Sequence, residues 1–189
     1  MKIGVLALQG AFATHAGVLR ALGAEARDVR VPADLDGVDA LVLPGGESTT
    51  MSLLLDSSGL REPIAEQLAG GLPALGTCAG MILLACNVLD GRDDQRSFGV
   101  LDIDVRRNAF GRQVDSFESD LAVDGLDGGP FHAVFIRAPV VERAGPDVDV
   151  LATVEGKPVL VRHGALVAAA FHPELSTDDR IHDFFLEGV

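Results

Sequence analysis

A cysteine at a glycine-flanked bend is the residue of this chain best suited to covalent chemistry. Cys78 is the centre of the segment 76–80 (GTCAG), which follows a short apolar segment and begins another one. Small residues at these positions permit the strained backbone that a strand-turn-helix elbow imposes on its nucleophile, and they relieve crowding where strand and helix approach. The pattern therefore favours a thiol nucleophile over the small buried hydrophobe that free cysteine more often is.

A thiol nucleophile needs a base, and His172 has the most suitable context among five histidines. The segment 171–174 (FHPE) directly follows an apolar, strand-like run. Pro173 disfavours helical geometry at His172, so we expect an extended segment in which Glu174 projects to the same side as His172 and orients its imidazole. The remaining histidines have no such context and are interpreted as surface or hydrogen-bonded structural residues: His15, His132, His163 and His182.

The glycine-rich segment 44–48 (PGGES) follows another apolar run and begins a helical pattern. Its backbone can supply an N–H group for an oxyanion, together with the N–H of the residue after the nucleophile. Gly46 and Ala79 are the candidates. Glu47 or Ser48 can at the same time cap the helix, and the segment lacks the pattern of a phosphate-binding loop.

The elements around these residues alternate between strand and helix in the first half of the chain. Continuous apolar runs predict buried parallel strands, and helical spacing predicts the segments between them. The predicted strands are residues 3–8, 26–31, 40–43 and 73–75, and the predicted helices are residues 13–22, 48–55, 60–68 and 79–88. Cys86 falls in the predicted helix over residues 79–88 and is expected to pack in the core. Residues 98–171 are rich in β patterns, and a helix over 178–186 closes the chain.

This order of elements predicts an α/β fold, a three-layer sandwich with a mostly parallel central sheet and antiparallel additions in its second half. Ligands of such sheets bind beyond the carboxyl ends of the strands, where the candidate residues lie. A length of 189 residues without a linker-like tract indicates a single domain, residues 1–189.

Composition excludes several classes of function. A net charge of -13 disfavours nucleic acid and anionic membranes as partners. No apolar run approaches the roughly 20 residues that cross a bilayer, and no signal peptide is recognisable, so we expect a soluble cytoplasmic protein. Two cysteines without a second Cys/His cluster predict neither a disulfide framework nor a metal site.

Taken together and in this order, the three motifs resemble the class I glutamine amidotransferases. Further segments are similar to the glutaminase subunit of pyridoxal 5'-phosphate synthase, and the resemblance spans nearly the whole chain. These segments are residues 4–10 (GVLALQG), 44–50 (PGGESTT), 107–113 (RNAFGRQ), 115–118 (DSFE), 135–139 (FIRAP) and 171–175 (FHPEL). Thr14 departs from the family pattern, which is often acidic there.

The resemblance implies a flavodoxin-like fold, a catalytic triad of Cys78, His172 and Glu174, and hydrolysis of L-glutamine to glutamate and ammonia without a cofactor. It further implies that ammonia passes to a separate (β/α)8-barrel synthase subunit in a large hetero-oligomer, which makes pyridoxal 5'-phosphate, the vitamin B6 cofactor. It assigns glutamine binding to Gly46, Glu47, Ser48, Arg107, Ile136 and Arg137. A guanidinium suits the substrate α-carboxylate, although either arginine can instead brace a loop through a salt bridge.

Two alternatives stay open at this point. The first is a related elbow hydrolase or another amidotransferase subunit, such as one that feeds imidazole-glycerol-phosphate synthesis. The second is a non-enzymatic regulatory or scaffold subunit with the same fold, for which a missing nucleophile or base would be the expected sign.

Overall fold

A computed structural model describes residues 1–107 and 116–189 of the chain. The strands are β1 (Lys2–Leu6), β2 (Glu25–Val29), β3 (Ala40–Leu43), β4 (Ala74–Thr77), β5 (Ala85–Val88), β6 (Leu101–Arg106), β7 (Ser116–Leu121), β8 (Phe131–Ile136), β9 (Val140–Ala144), β10 (Asp149–Val154), β11 (Lys157–His163) and β12 (Leu166–Ala169). The helices are α1 (Phe12–Ala21), α2 (Ser48–Ser57), α3 (Arg61–Ala69), α4 (Ala79–Leu84) and α5 (Arg180–Glu187).

Seven strands form a central sheet in the order β10-β11-β12-β4-β3-β1-β2. Five of them, from β12 to β2, run parallel, whereas β11 and β10 add to one edge in antiparallel pairing. The inner strands β3 and β4 are buried along their whole length, as expected of strands covered on both faces. The predicted α/β fold with a mostly parallel central sheet and antiparallel additions is confirmed.

Four neighbouring strands of this sheet deliver the residues that the sequence singled out. β12, β4, β3 and β1 lie side by side and parallel, so their carboxyl ends meet at one edge. The segments that leave this edge carry Gln9 after β1, Gly46 after β3, Cys78 after β4 and His172 after β12. The topology therefore gathers distant parts of the sequence into one place, where α/β sheets bind their ligands.

The prediction of a helix over residues 79–88 is wrong in its second half. α4 ends at Leu84, and residues 85–88 form β5, which pairs in parallel with β6. Cys86 is consequently exposed rather than packed in the core, and its thiol donates to the carbonyl of Gly99 at 3.3 Å. A continuous apolar run has no period that separates helix from strand, and the strand partner lies far away in sequence.

Smaller sheets complete the second half of the described chain. One has the order β5-β6-β9, and another is the antiparallel pair β7 and β8. β8 is tied to the site segment, because the backbone N–H of His172 donates to the carbonyl of Val134 at 2.9 Å. Within residues 1–107 and 116–189, no helix has the length and apolar character that crossing a membrane requires.

Candidate active site

Cys78 lies at a sharp bend between β4 and α4. Its backbone φ is 51° and its ψ is -104°, which is a rare conformation for a residue with a side chain and a sign of local strain. The backbone N–H of Cys78 donates to the carbonyl of Ala169 in β12 at 2.8 Å and fixes the bend to the sheet. This is the geometry of a nucleophile elbow.

The predicted need for glycines around Cys78 is confirmed by the packing. A Cβ atom on Gly76 would lie 2.7 Å from the backbone of Gly80, and one on Gly80 would overlap the carbonyl of Leu43. Strand and helix therefore approach too closely for side chains at either position. Alanine at Gly76 or Gly80 would push α4 away from the sheet.

His172 and Glu174 adjoin the thiol, although they come from the end of the chain. The side chain of His172 lines the same cavity wall as Cys78, and its Nδ1 lies 2.8 Å from Oε1 of Glu174. The thiol of Cys78 itself donates to the carbonyl of Ile136 at 3.9 Å. His172 is non-helical as predicted, with φ -108° and ψ 85°, but Pro173–Leu175 form a 3-10 turn rather than an extended segment. The turn carries the carboxylate back toward the imidazole, so the expected contact forms by a different route.

Gly45 packs closely against the side chains of His172 and Cys78. A methyl group on Gly45 would lie 2.5 Å from Cε1 of His172 and 3.3 Å from Cβ of Cys78. The absence of a side chain at this position in the 44–48 segment thus leaves room for the imidazole beside the sulfur.

The environment of His172 favours its protonated form. Burial acts against the charge, but the interactions with Cys78 and Glu174 outweigh it and raise the pKa of His172 to about 10. Burial also acts against the charge of Glu174, yet the hydrogen bond from His172 keeps the pKa of this carboxyl below its ordinary value. A carboxylate that holds an imidazole beside a cysteine is the arrangement expected of a base that serves a sulfur nucleophile.

A cavity of about 330 Å³ opens in front of Cys78 and His172. All six substrate-binding residues that the resemblance indicated line it. They are Gly46, Glu47, Ser48, Arg107, Ile136 and Arg137. Ala79 follows the nucleophile at the start of α4 and is buried. The structure thus brings the candidates of five separate segments to one cavity of a size typical of small-molecule sites.

Glu47 caps α2, as the sequence suggested for Glu47 or Ser48. Its carboxylate accepts from the backbone N–H groups of Thr49 at 3.1 Å and Thr50 at 2.7 Å. Burial acts against its charge, but the bonds from Thr50 and Thr49 hold the pKa of Glu47 below its usual value. The carboxylate is therefore committed to its own helix.

Arg107 is held by neutral groups at the cavity wall. Its Nη1 donates to Oγ1 of Thr49 at 2.8 Å and to Oε1 of Gln95 at 2.7 Å. Within residues 1–107 and 116–189 no carboxylate forms an ion pair with this guanidinium, which argues against a structural salt bridge there. The rest of its motif, residues 108–113, and residue 115 of the next one lie outside the described part of the chain.

Several residues near the site were not predicted. Gln9 and Ile82 line the cavity, and Oε1 of Gln9 accepts from the backbone N–H of Glu47 at 3.1 Å. The position of Gln9 just after β1 is the signal that would have indicated it. His15 and His182, left unassigned from sequence, are fully buried near Glu174. Their helical segments gave no sign of that location.

Comparisons with known proteins agree on one family. The model of the SNO glutamine amidotransferase family matches residues 5–189. The pyridoxal 5'-phosphate synthase subunit PdxT of Salinispora arenicola is 58% identical over 192 residues, covering 99% of this chain and 96% of that relative. The subunit of the same name from Parafrankia sp. is 59% identical over 188 residues, covering 100% of this chain and 93% of that relative.

Solved structures show the same fold. A crystal structure of a glutamine amidotransferase superposes with a TM-score of 0.92 and 50% identity, covering 98% of this chain and 97% of the other. The structure of PurLQS from Thermotoga maritima superposes with a TM-score of 0.68 at 16% identity and 98% coverage of this chain, which is a likeness of fold alone.

Proposed function

The chain belongs to the SNO glutamine amidotransferase family, and on that premise we propose that it is the glutaminase subunit of a pyridoxal 5'-phosphate synthase. In this role it hydrolyses L-glutamine to L-glutamate and ammonia. The observation that carries the proposal is the contact of His172 with both Cys78 and Glu174 beside a cavity of small-molecule size. The name shared by relatives at 58% and 59% identity supports the choice of synthase.

The proposed reaction proceeds through a covalent thioester on Cys78. The sulfur, deprotonated by His172, attacks the carbon of the substrate side-chain amide and forms a tetrahedral intermediate. His172 then donates its proton to the amide nitrogen, the C–N bond breaks, and ammonia leaves. Water, deprotonated by the same imidazole, attacks the thioester and releases glutamate and the thiol. Glu174 stabilises the imidazolium throughout. These steps use no metal or cofactor.

The cavity walls supply the proposed contacts with glutamine. Arg107, without a carboxylate partner in the described chain, would pair with the substrate α-carboxylate. The backbone N–H groups of Gly46 and Ala79 are the proposed oxyanion donors. Ser48, Ile136 and Arg137 complete the binding surface, and the backbone of Glu47 contributes while its carboxylate caps α2.

We further propose that ammonia passes to a separate (β/α)8-barrel synthase subunit in a hetero-oligomer. Ammonia that is released into water becomes protonated, and the ammonium ion is not a nucleophile. Direct transfer to the synthase subunit would keep the ammonia reactive. The family resemblance also indicates weak activity alone and activation by that subunit through the segment near Gly46. The chain would act as one domain, residues 1–189.

The assay of glutamate release tests the proposal. Wild-type protein is incubated with L-glutamine, with and without a purified pyridoxal 5'-phosphate synthase barrel subunit. We expect glutamate release that the barrel subunit stimulates. Cys78→Ala should lower the rate by at least about a thousandfold because the nucleophile is gone.

The second cysteine provides a matched control. Cys86 is exposed on β5 and outside the cavity, so Cys86→Ala should retain the wild-type rate. Full activity of a folded Cys78→Ala protein would refute the nucleophile assignment. Stimulation by a different amidotransferase partner, and not by the barrel subunit, would refute the choice of synthase. No glutamate with either partner would favour a scaffold role.

A further inference from the structure

Three polar side chains lie completely buried behind Glu174. His15 comes from α1, Thr77 from the end of β4 and His182 from α5, and each has no solvent-exposed surface. Burying polar groups is costly unless they bond to one another. The proposed chemistry of Cys78 does not use any of the three, so their joint presence at this position needs a physical explanation.

The contacts connect these side chains to the far oxygen of Glu174. While Oε1 bonds to His172, Oε2 lies 3.3 Å from Nε2 of His15. Nε2 of His15 is also 3.2 Å from Oγ1 of Thr77, and its Nδ1 is 2.9 Å from Nε2 of His182. The distance between Nε2 of His15 and Oε2 of Glu174 is short, but the angle is not that of a good hydrogen bond. Oε2 therefore has no hydrogen-bond partner among the described residues. His15 is nevertheless the polar side chain placed against it.

The proton positions follow from this arrangement. Burial lowers the pKa of His15, so the ring is neutral and carries one N–H. With the proton on Nε2, His15 presents this N–H to Oγ1 of Thr77 and Oε2 of Glu174 together, and it accepts at Nδ1 from His182. Nδ1 of His182, which has no partner in the described chain, is then a bare lone pair. The opposite tautomers would bury an unpaired N–H on His182 and point a lone pair of His15 at the carboxylate, which costs more.

We propose that His15 is a positioning residue for the triad, holding the second oxygen of Glu174 while His182 and Thr77 fix the ring of His15. A carboxylate held by one oxygen can rotate about its last torsion, which has broad minima. Contacts at both oxygens fix its plane and hence the orientation of His172. The inference rests on the proposed glutaminase function, and it connects the closing helix α5 to the site.

Substitutions that differ in reach test this role. In His15→Gln the amide nitrogen reaches the place of Nε2 and can still donate to Glu174. In His15→Asn the amide reaches only the place of Nδ1, so this variant is a matched polar control. His15→Leu removes both contacts. Initial rates of glutamate release are measured for each protein in complex with the synthase subunit, alongside thermal denaturation.

We expect kcat to fall roughly tenfold to a hundredfold in His15→Asn and His15→Leu, as for misplacement of a catalytic group by about 1 Å. KM should stay within about twofold, and His15→Gln should keep most of the wild-type kcat. If His15→Leu does not fold, the comparison of the Gln and Asn variants decides.

Other outcomes overturn the inference. Equal kcat values in the Gln and Asn variants would leave His15 a purely structural residue, as would losses that follow thermal stability alone. These results would leave the glutaminase assignment intact because the wild-type protein would still release glutamate. A wild-type complex that releases none would overturn the proposed function and this inference with it.

Discussion

At the scale of single residues, three buried histidines near one carboxylate differ in charge because their partners differ. His172 interacts with Cys78 and Glu174, and its pKa is raised to about 10. Burial lowers the pKa of His182 to about 3. At neutral pH the first is therefore an imidazolium and the second a neutral ring, although both are buried.

This difference predicts a pH dependence of stability. Between pH 6.5 and about 3 the unfolded chain protonates His182 while the folded chain does not, so the free energy of unfolding falls as pH falls. One such proton contributes a slope of about 1.4 kcal/mol per pH unit. His172 does not oppose this trend, because its raised pKa leaves it protonated in both states below pH 6.5. His182→Leu should therefore show a flatter decline in the free energy of unfolding, measured in urea between pH 6 and 4.

The exposed His132 serves as the control for this measurement. Hydrogen bonds with Asp120 and Glu118 raise its pKa, so its contribution to stability is present below pH 6.5 and is lost as pH rises through the raised value. His132→Leu should leave the acid slope unchanged. Parallel slopes in the wild-type and His182→Leu proteins would contradict the assignment of a neutral His182.

At the scale of elements, Glu47 caps the start of α2 at the edge of the candidate site. Glu47 accepts from two of the backbone N–H groups that a helix leaves unpaired at its first turn. The same cap fixes the 44–48 segment beside Cys78. The position of this segment therefore depends on a local bond that sequence reasoning could identify.

Removal of this cap should lower the stability of the isolated chain. We expect Glu47→Ala to cost about 1 kcal/mol of unfolding free energy, as for the loss of other side-chain caps. Glu66→Ala, an exposed position within α3, is the matched control and should change stability by less than about 0.5 kcal/mol. Chemical denaturation of both variants makes the comparison. Equal stabilities would mean that the Glu47 cap contributes nothing.

The sequence predicted helices and strands correctly where a single local feature determined them. β3 and the start of α2 at Ser48 match the prediction, because an apolar run stopped by Pro44 and a capped helix are local features. The end of α4 was missed, since β5 exists only through pairing with β6. Short-range periodicity does not contain that information.

At the scale of the whole molecule, the sheet order decides which residues meet. Parallel β12, β4, β3 and β1 bring Gln9, Gly46, Cys78 and His172 to one edge from four parts of the sequence. The motifs indicated this edge, because functional residues of α/β sheets follow the strands. The buried residue behind the proposed triad, His15, was not predictable, because it lies on a helix face and only tertiary packing places it against Glu174.

Covalent trapping tests the proposed role of Cys78 as the nucleophile toward glutamine. The protein, mixed with the proposed synthase subunit, is treated with a glutamine analogue that carries a diazoketone in place of the amide, and adducts are located by peptide mass spectrometry. We expect one adduct, on Cys78, that L-glutamine suppresses. Partial desolvation and the nearby carboxylate of Asp102 raise the pKa of the Cys86 thiol, which lies outside the cavity, so Cys86 should stay unmodified. An adduct on Cys86 alone, or labelling of Cys78 that glutamine does not suppress, would contradict this role.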